Sequence, residues 1–367
     1  MKFTCERSVL LKEITIAQEI ISSKNAISIL SNIYLEAGQD TLIIKSTDIK
    51  VNFETRVPVT VLESGSTTVF GEKFLGILNA IPDGELEFDQ NDAKIVIRPT
   101  YKKIKFQLKS IASDKFPEFP VPGNGNSFEM PVRDFKEMIL QTVFAVSDDE
   151  TRYFMNGVFC EKQEDKFIMV ATDGRRLAYI SREAGSGIQD FTGVIIPPKI
   201  LNIIMKRAGD EGLITIAITD KSIFINFGSY HLSSVLIEGQ FPNYRRVIPE
   251  NQTNSFTMNR FEMLDALKRV SLLVEQKSRR VYLKVNPGVM IIASEESDIG
   301  DANEEIPCKY DGEEISIALN YRYIEEPFKV MTEDEVGIYF SDPHKAITIK
   351  PIPEGNFFHI IMPMQVD

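Results

Sequence analysis

The feature that most constrains this chain is that it repeats itself three times, at a step of about 125 residues. Repeats of this size are separate folding units that must stack or pair, so they are sought before any motif. Phe3, Phe128 and Phe256 open the three copies with a short extended segment. An amphipathic helix follows in each. Leu10, Ile14, Ala17 and Ile21 correspond to Phe135, Ile139, Thr142 and Val146, and then to Met263, Leu267, Val270 and Val274. The spacing i, i+4, i+7, i+11 marks one face of a 3.6-residue helix. Only Thr142 breaks the apolar pattern.

Each helix runs into two alternating strands: Ile33–Glu36 with Thr41–Ser46, Gly157–Glu161 with Lys166–Ala171, and Val281–Val285 with Val289–Ala293. The second strand of each pair ends in an acidic turn at Asp48, Asp173 or Asp298. The steps from 48 to 173 and from 173 to 298 are both 125. A turn-forming Asp whose carboxylate holds nearby backbone N–H groups explains that recurrence better than a metal or acid–base role. A second helix is predicted over Glu72–Ile81, Pro198–Arg207 and Asn320–Val330. Pro197 and Pro198 suit a helix start, whereas Pro327 lies inside the third helix and is expected to kink or shorten it. Strands and a Phe-Pro turn close the first two copies, at Phe116-Pro117 and Phe241-Pro242, and Phe358–Met364 ends the third. Boundaries fall in the turn-rich VPGNGN and PENQTN segments, giving domains 1–122, 123–251 and 252–367. The fold class is therefore α+β: three repeated domains, each with two helices packed on antiparallel sheet.

Composition narrows the function by exclusion. At 367 residues, 43% hydrophobic and 26% charged, the chain reads as globular and too long for a single ordinary core. No apolar run suits a signal peptide or a membrane span, which makes a cytoplasmic location the expectation. Cys5, Cys160 and Cys308 lie far apart without metal-ligand spacing, and so do His231, His344 and His359. Buried thiols and structural or surface imidazoles are expected, with no metal and no cofactor. No Walker loop, GxGxxG, GxSxG or HExxH is present, and adjacent carboxylates such as Asp148-Asp149 do not converge on one substrate atom. An enzyme is not expected. The net charge of −12 argues against a protein that grips nucleic acid electrostatically, but not against one that encloses it.

Five segments spread over all three copies carry a resemblance: MKFTCERSVLLK at the start, RYFMNG at 152–157, ATDGRRLA at 171–178, FPNYRRVIP at 241–249 and IMPM at 361–364. In that order and spacing they resemble the bacterial DNA polymerase III beta subunit, over the whole chain. The resemblance implies three clamp domains per chain forming half of a closed ring, with a second copy completing a helix-lined hole for duplex DNA. It implies a processivity factor whose partners are the polymerase III alpha subunit, the clamp-loader complex, and other polymerases and repair proteins carrying a clamp-binding peptide.

Candidate cations for the hole are Lys12, Lys73, Lys136, Lys199, Lys206, Arg207, Lys268, Arg269 and Arg322, with Glu325 and Glu326 weakening the lining in the last helix. The resemblance adds Lys24 on a loop, and Arg152, Tyr153 and Phe154 beside template. For ring closure, the basic Lys102, Lys103 and Lys105 with Phe106 and Leu108 stand in copy one. Leu272, Leu273, Asp301, Glu304 and Glu305 stand in copy three. Basic against acidic favours head-to-tail pairing. The family's partner cleft, carried over by position, comprises Met155, Thr172, Gly174, Arg175, Arg176 and Leu177. It continues through Pro242, Arg246, Val247, Asn320 and Tyr323, and then Met362, Pro363 and Met364, with His344 and Ala346 nearby. Methionines give such a cleft pliability toward different Leu and Phe side chains. The alternative is a three-domain peptide-binding scaffold that never encircles DNA.

Overall fold

The computed structural model describes residues 1–21, 29–123, 126–184, 188 and 191–365. The chain forms two compact units, Met1–Val132 with Asn202–Leu236, and Arg133–Leu201 with Ile237–Asp367. Each unit is built on one antiparallel sheet, of thirteen strands in the first and twelve in the second. The helices are α1 (Arg7–Ile20), α2 (Gly71–Ala80), α3 (Val132–Leu140), α4 (Pro198–Arg207), α5 (Arg260–Val270) and α6 (Tyr321–Val330). The predicted second helices thus stand within one residue of α2, α4 and α6. The strand pairs predicted from alternation also form, as Asn32–Gly38 with Thr41–Thr47, Val158–Gln163 with Lys166–Thr172, and Arg280–Asn286 with Val289–Ser294.

The helical stripes are buried but shorter than their spacing predicts: α1, α3 and α5 end at Ile20, Leu140 and Val270, so Ile21, Val146 and Val274 follow the helices in extended backbone. Leu10, Ile14 and Ala17 of α1 are inaccessible, and so are Met263 and, nearly, Leu267 and Val270 of α5. Each such aliphatic side chain contributes about 1.5–3 kcal/mol by leaving water. In the core Phe3 stacks on Phe88 at 4.6 Å, and Phe256 meets Phe340 edge-on at 6.0 Å. Thr142, the exception to the pattern, is fully buried, and its hydroxyl donates to the Met138 carbonyl at 2.7 Å. Helix α3 has ended at Leu140, so Thr142 lies in the turn that follows, its hydroxyl satisfied by the last turn of the helix. Cys5, Cys160 and Cys308 are buried free thiols.

Pro327 corrects an expectation. Helix α6 keeps ten residues, as α2 and α4 do. The ring removes one backbone donor, but Pro327 is buried, and the Met331 N–H donates to its carbonyl at 3.1 Å. Packing outweighs the local penalty.

The acidic turns hold in two copies and change in the third. In copy one the Asp48 carboxylate accepts from the N–H groups of Lys50 and Val51 at 3.0 and 2.7 Å. In copy two Asp173 accepts from Arg175 and Arg176 at 2.9 and 3.1 Å. In copy three Ser297 takes over from Asp298: its hydroxyl accepts from the Ile299 N–H at 3.3 Å and donates to the Gly300 carbonyl at 2.9 Å.

What positions the functional surfaces is a strand junction between copies, made twice. In the first unit Val51–Pro58 lies between Thr41–Thr47 and Tyr230–Val235, with Phe53 opposite Leu232. In the second, Arg176–Glu183 lies between Lys166–Thr172 and Phe357–Ile361, with Ala178 opposite His359.

Candidate partner cleft, DNA-facing cations and open strand edges

The cleft residues expected from the sequence all fall in the second unit. The turn that leads into Arg176–Glu183 forms one side. Thr172 Oγ1 accepts from the Gly174 N–H at 3.1 Å and donates to the Arg176 carbonyl at 2.6 Å. Gly174 has φ +87°, and a Cβ there would sit 2.8 Å from a guanidinium nitrogen of Arg152. The positive φ favours glycine, whereas the Arg152 side chain could move aside. The floor is a buried cluster of Ile168, Val170, Leu177, Ile195, Phe241, Tyr244 and Ile360. Phe159 stacks on Phe241 at 4.8 Å and Tyr179 on Phe358 at 4.7 Å. Of the expected cleft residues Met362 and Val247 are exposed, and so are Arg175 and Arg246. The tail is fixed by backbone: the Met362 N–H donates to Arg175 at 2.9 Å and the Met364 N–H to Ala318 at 2.8 Å.

Several of the residues expected to line the cleft are bonded into the surrounding structure. Met155 is buried in the core. Asn320 caps α6, its side chain accepting from the Arg322 N–H at 3.0 Å. Arg176 is a half-buried hub. It binds Asp173 at 3.1 Å, Glu326 of α6, and the Phe144 carbonyl at 2.6 Å, and lies over the Tyr323 ring at 4.6 Å. Glu326, expected from the sequence to weaken the basic lining, is thus bonded to Arg176. His359 stands beneath, neutral, with its Nε2 3.1 Å from the Gln141 side-chain oxygen. Burial, and then the nearby Arg176 charge, push its pKa from 6.5 down to about 3.

The same frame recurs in the first unit with a different lining. The Val235 N–H donates to Lys50 at 2.8 Å, as Met362 does to Arg175. The cross-strand pair Val170–Tyr179 becomes Lys45–Glu54, Leu177–Ile360 becomes Asn52–Ser233, and Tyr179–Phe358 becomes Glu54–His231. An apolar floor is replaced by an ion pair at 3.0 Å and a hydrogen bond from Asn52 to Ser233 at 3.0 Å. The result is an open polar cavity of about 610 Å³ beside Tyr34, Phe116 and Phe119. Even the turn differs. Ile49 adopts φ +78° where copy two has Gly174, a strained geometry for a β-branched residue.

Several of the expected DNA-facing cations are paired. Lys73 lies 3.0 Å from Glu72, Lys206 2.7 Å from Glu19, and Arg152 2.8 Å from Asp149. Arg207 donates to the Lys12 carbonyl. Asp149 also accepts from the Thr151 N–H and hydroxyl, and these bonds, followed by Arg152, bring its pKa down to about 2. Tyr153 is exposed and meets Phe154 edge-on at 5.9 Å. Lys12, Lys268 and Arg322 are exposed, while Lys136 and Lys199 are half-buried. Lys24 falls outside the described residues.

The residues expected at the ring closure lie on two strands with open flanks. Phe106–Ile111 pairs with Lys94–Pro99 along Phe106–Lys109, but with Gly65–Phe70 only at Ser110 and Ile111. Asn303–Lys309 likewise pairs with Val289–Ser294 along Asn303–Pro307, and with Asn254–Asn259 only at Cys308 and Lys309. Among the described residues nothing pairs with the other flank of Phe106–Lys109 or of Asn303–Pro307. Unpaired edges of this kind invite another chain. Leu272 is 80% exposed beside the second edge, and Leu273 is half-buried. Glu304 and Arg269, assigned to different surfaces from the sequence, bind each other at 2.5 and 2.8 Å.

Among the described residues no helix is long and apolar enough to cross a membrane, and no group of three or more His, Cys, Asp or Glu side chains could hold a metal ion.

Three sheet-and-helix copies joined by strand pairing, with open edges at both ends of the series, define the clamp class of fold. Comparison with solved structures agrees. A sliding clamp from Bartonella birtlesii, crystallised with griselimycin bound, superposes over all of both chains with a TM-score of 0.92 at 28% identity. The Bacillus subtilis clamp does so at 0.91 and 26%. Family models of the DNA polymerase III beta subunit match three times: the N-terminal domain at residues 1–120, the central domain at 129–243 and the C-terminal domain at 245–365. The beta sliding clamp of Treponema pallidum is 49% identical over the full length of both chains. The chain belongs to the DNA polymerase III beta subunit family, the beta sliding clamps.

Proposed function

We propose that two copies of this chain close head to tail around duplex DNA and tether the replicative polymerase to it, as a non-catalytic cytoplasmic processivity factor. The copies are taken as residues 1–122, 123–251 and 252–367, and the partner peptide docks on the apolar floor under Met362 and Val247. That peptide is carried by the polymerase alpha subunit, the clamp loader and other polymerases and repair proteins. DNA is held by topology, so an acidic protein stays on a polyanion without deep electrostatic attraction.

The observation that carries the reading is the pair of open edges. The chain makes its inter-copy strand junction twice internally, at Phe53–Leu232 and Ala178–His359. The position matching Phe53 and Ala178 in copy three is Ala302, and the position matching Leu232 and His359 in copy one is Phe106. These correspondences follow the ladders from the helix starts and from the opening phenylalanines. A third junction, made between two chains, then sets Ala302 opposite Phe106 and Glu305 opposite Lys103. Opposite charges facing across a ladder favour that register, and Leu272 and Leu273 supply apolar area beside it.

Cysteines at 103 and 305 test this register. The Lys103→Cys/Glu305→Cys variant should form a covalent closed dimer on oxidation, because directly opposite Cβ atoms come near disulfide distance. The cross-linked ring should be retained on nicked circular DNA and lost when the circle is cut. A chain that sediments as a monomer at micromolar concentration, or leaves circles and linear DNA equally fast, overturns the proposal.

A further inference from the structure

Besides Arg269, which binds Glu304 at the open strand edge, three expected DNA-facing cations each have a carboxylate within 3.0 Å: Lys73 has Glu72, Arg152 has Asp149 and Lys206 has Glu19. The pairs come from different elements, α2, the 3-10 turn Glu150–Met155, and α1 against α4. Lys73 and Glu72 are about two-thirds exposed, and Lys206 and Glu19 about half. Exposed pairs of this kind add little to stability. Their placement therefore calls for a different account.

We propose that Glu19, Glu72 and Asp149 act as electrostatic governors that keep the hold on DNA shallow, so that the ring slides. This rests on the encircling function above. A lone ammonium projects its charge across a Debye length of about 8 Å at physiological salt. An ammonium beside a carboxylate presents only a dipole, whose field decays faster, and a phosphate must displace the carboxylate to bind. For a protein held by adhesion this would weaken binding to no advantage. For a ring held by topology, attraction is not needed for retention, while every cation locked to a phosphate must be released before the next step along the duplex. The effect depends on the local presence of the carboxylate and not on a fixed hydrogen bond.

The test uses the full-length protein with Glu19→Gln and Glu72→Gln, singly and together, and Asp149→Asn. Glu87→Gln is the charge-matched control. Glu87 pairs with Lys2 and Arg98 on strands, so its loss changes net charge equally but frees no cation on a helix. Affinity for a short linear duplex, which topology cannot retain, is measured from 50 to 200 mM salt. Each freed cation should steepen the slope of log affinity against log salt by about 0.9, or roughly threefold more affinity lost over that range. The double variant should also diffuse more slowly along DNA in single-molecule tracks. Unchanged slopes in the Glu19 and Glu72 variants overturn the inference, and so does an equal change in Glu87→Gln, which would report net charge alone. Wild-type protein that is not retained on nicked circles defeats the encircling function itself, and the governors fall with it.

Discussion

Replacing Arg176 by Met should loosen the base of the partner cleft more than any rim substitution. The guanidinium is 10% exposed and bonded to Asp173, Glu326 and the Phe144 carbonyl. Removal leaves that carbonyl without this donor, and a charged hydrogen bond contributes about 1.5–3 kcal/mol. It also strands two carboxylates. Asp173 is 15% exposed and keeps its backbone donors, so its penalty is partial. Glu326 is 34% exposed and can turn to water, so the 3–5 kcal/mol typical of a broken buried pair must be discounted. The expected loss is about 2–4 kcal/mol in urea-induced unfolding. The double variant Arg176→Met/Glu326→Gln should recover about 1 kcal/mol of it, because one stranded charge is gone. Since Arg176 ties the strand under the cleft to α6, affinity for a partner peptide should fall at least tenfold in both variants. A single variant within 0.5 kcal/mol of wild type, or a double variant no better than the single, would refute this account of the hub.

Three further outcomes are expected. Leu272→Ala should weaken the dimer by roughly fivefold to thirtyfold, about 1–2 kcal/mol for a truncated interface leucine, as read by sedimentation equilibrium; an unchanged dimer would place the interface elsewhere. Truncation before Met362 should abolish polymerase stimulation and keep the ring. It removes two backbone hydrogen bonds, from Met362 and Met364, but no strand of the core, so a dissolved dimer with intact peptide binding would contradict the cleft assignment. His359 should make the fold acid-sensitive. Its pKa is lowered on folding, from 6.5 to about 3, so below pH 6.5 the unfolded chain binds a proton that the folded chain refuses. Stability is then present above 6.5 and is lost by up to about 1.4 kcal/mol per pH unit on the way down toward 3. His359→Gln should remove that part of the slope between pH 6.5 and 5, and identical slopes would show that the imidazole does not drive it.

The sequence by itself determined the threefold repeat, the six helices, the strand pairs and the family. All of these rest on spacing within a short window, because helical and strand periodicity records which side of a local element meets the core. Pro327 broke the local rule without breaking its helix, since a well-packed ring fits there, whereas helix α3 stops at Leu140, before Thr142.

Only the tertiary structure decided the rest. Phe53 meets Leu232 and Ala178 meets His359 across some 180 residues of chain, and no local pattern names such partners. From that pairing follows the contrast between an apolar floor at one junction and Lys45, Asn52 and Glu54 at the same place in the other. Charge pairing is decided in the same way. Glu326, Arg269 and Glu304 look like independent surface charges in a list of residues, yet their partners lie on other elements. A side chain's field depends on what the fold brings within a few ångströms of it, and that distance is set by tertiary packing.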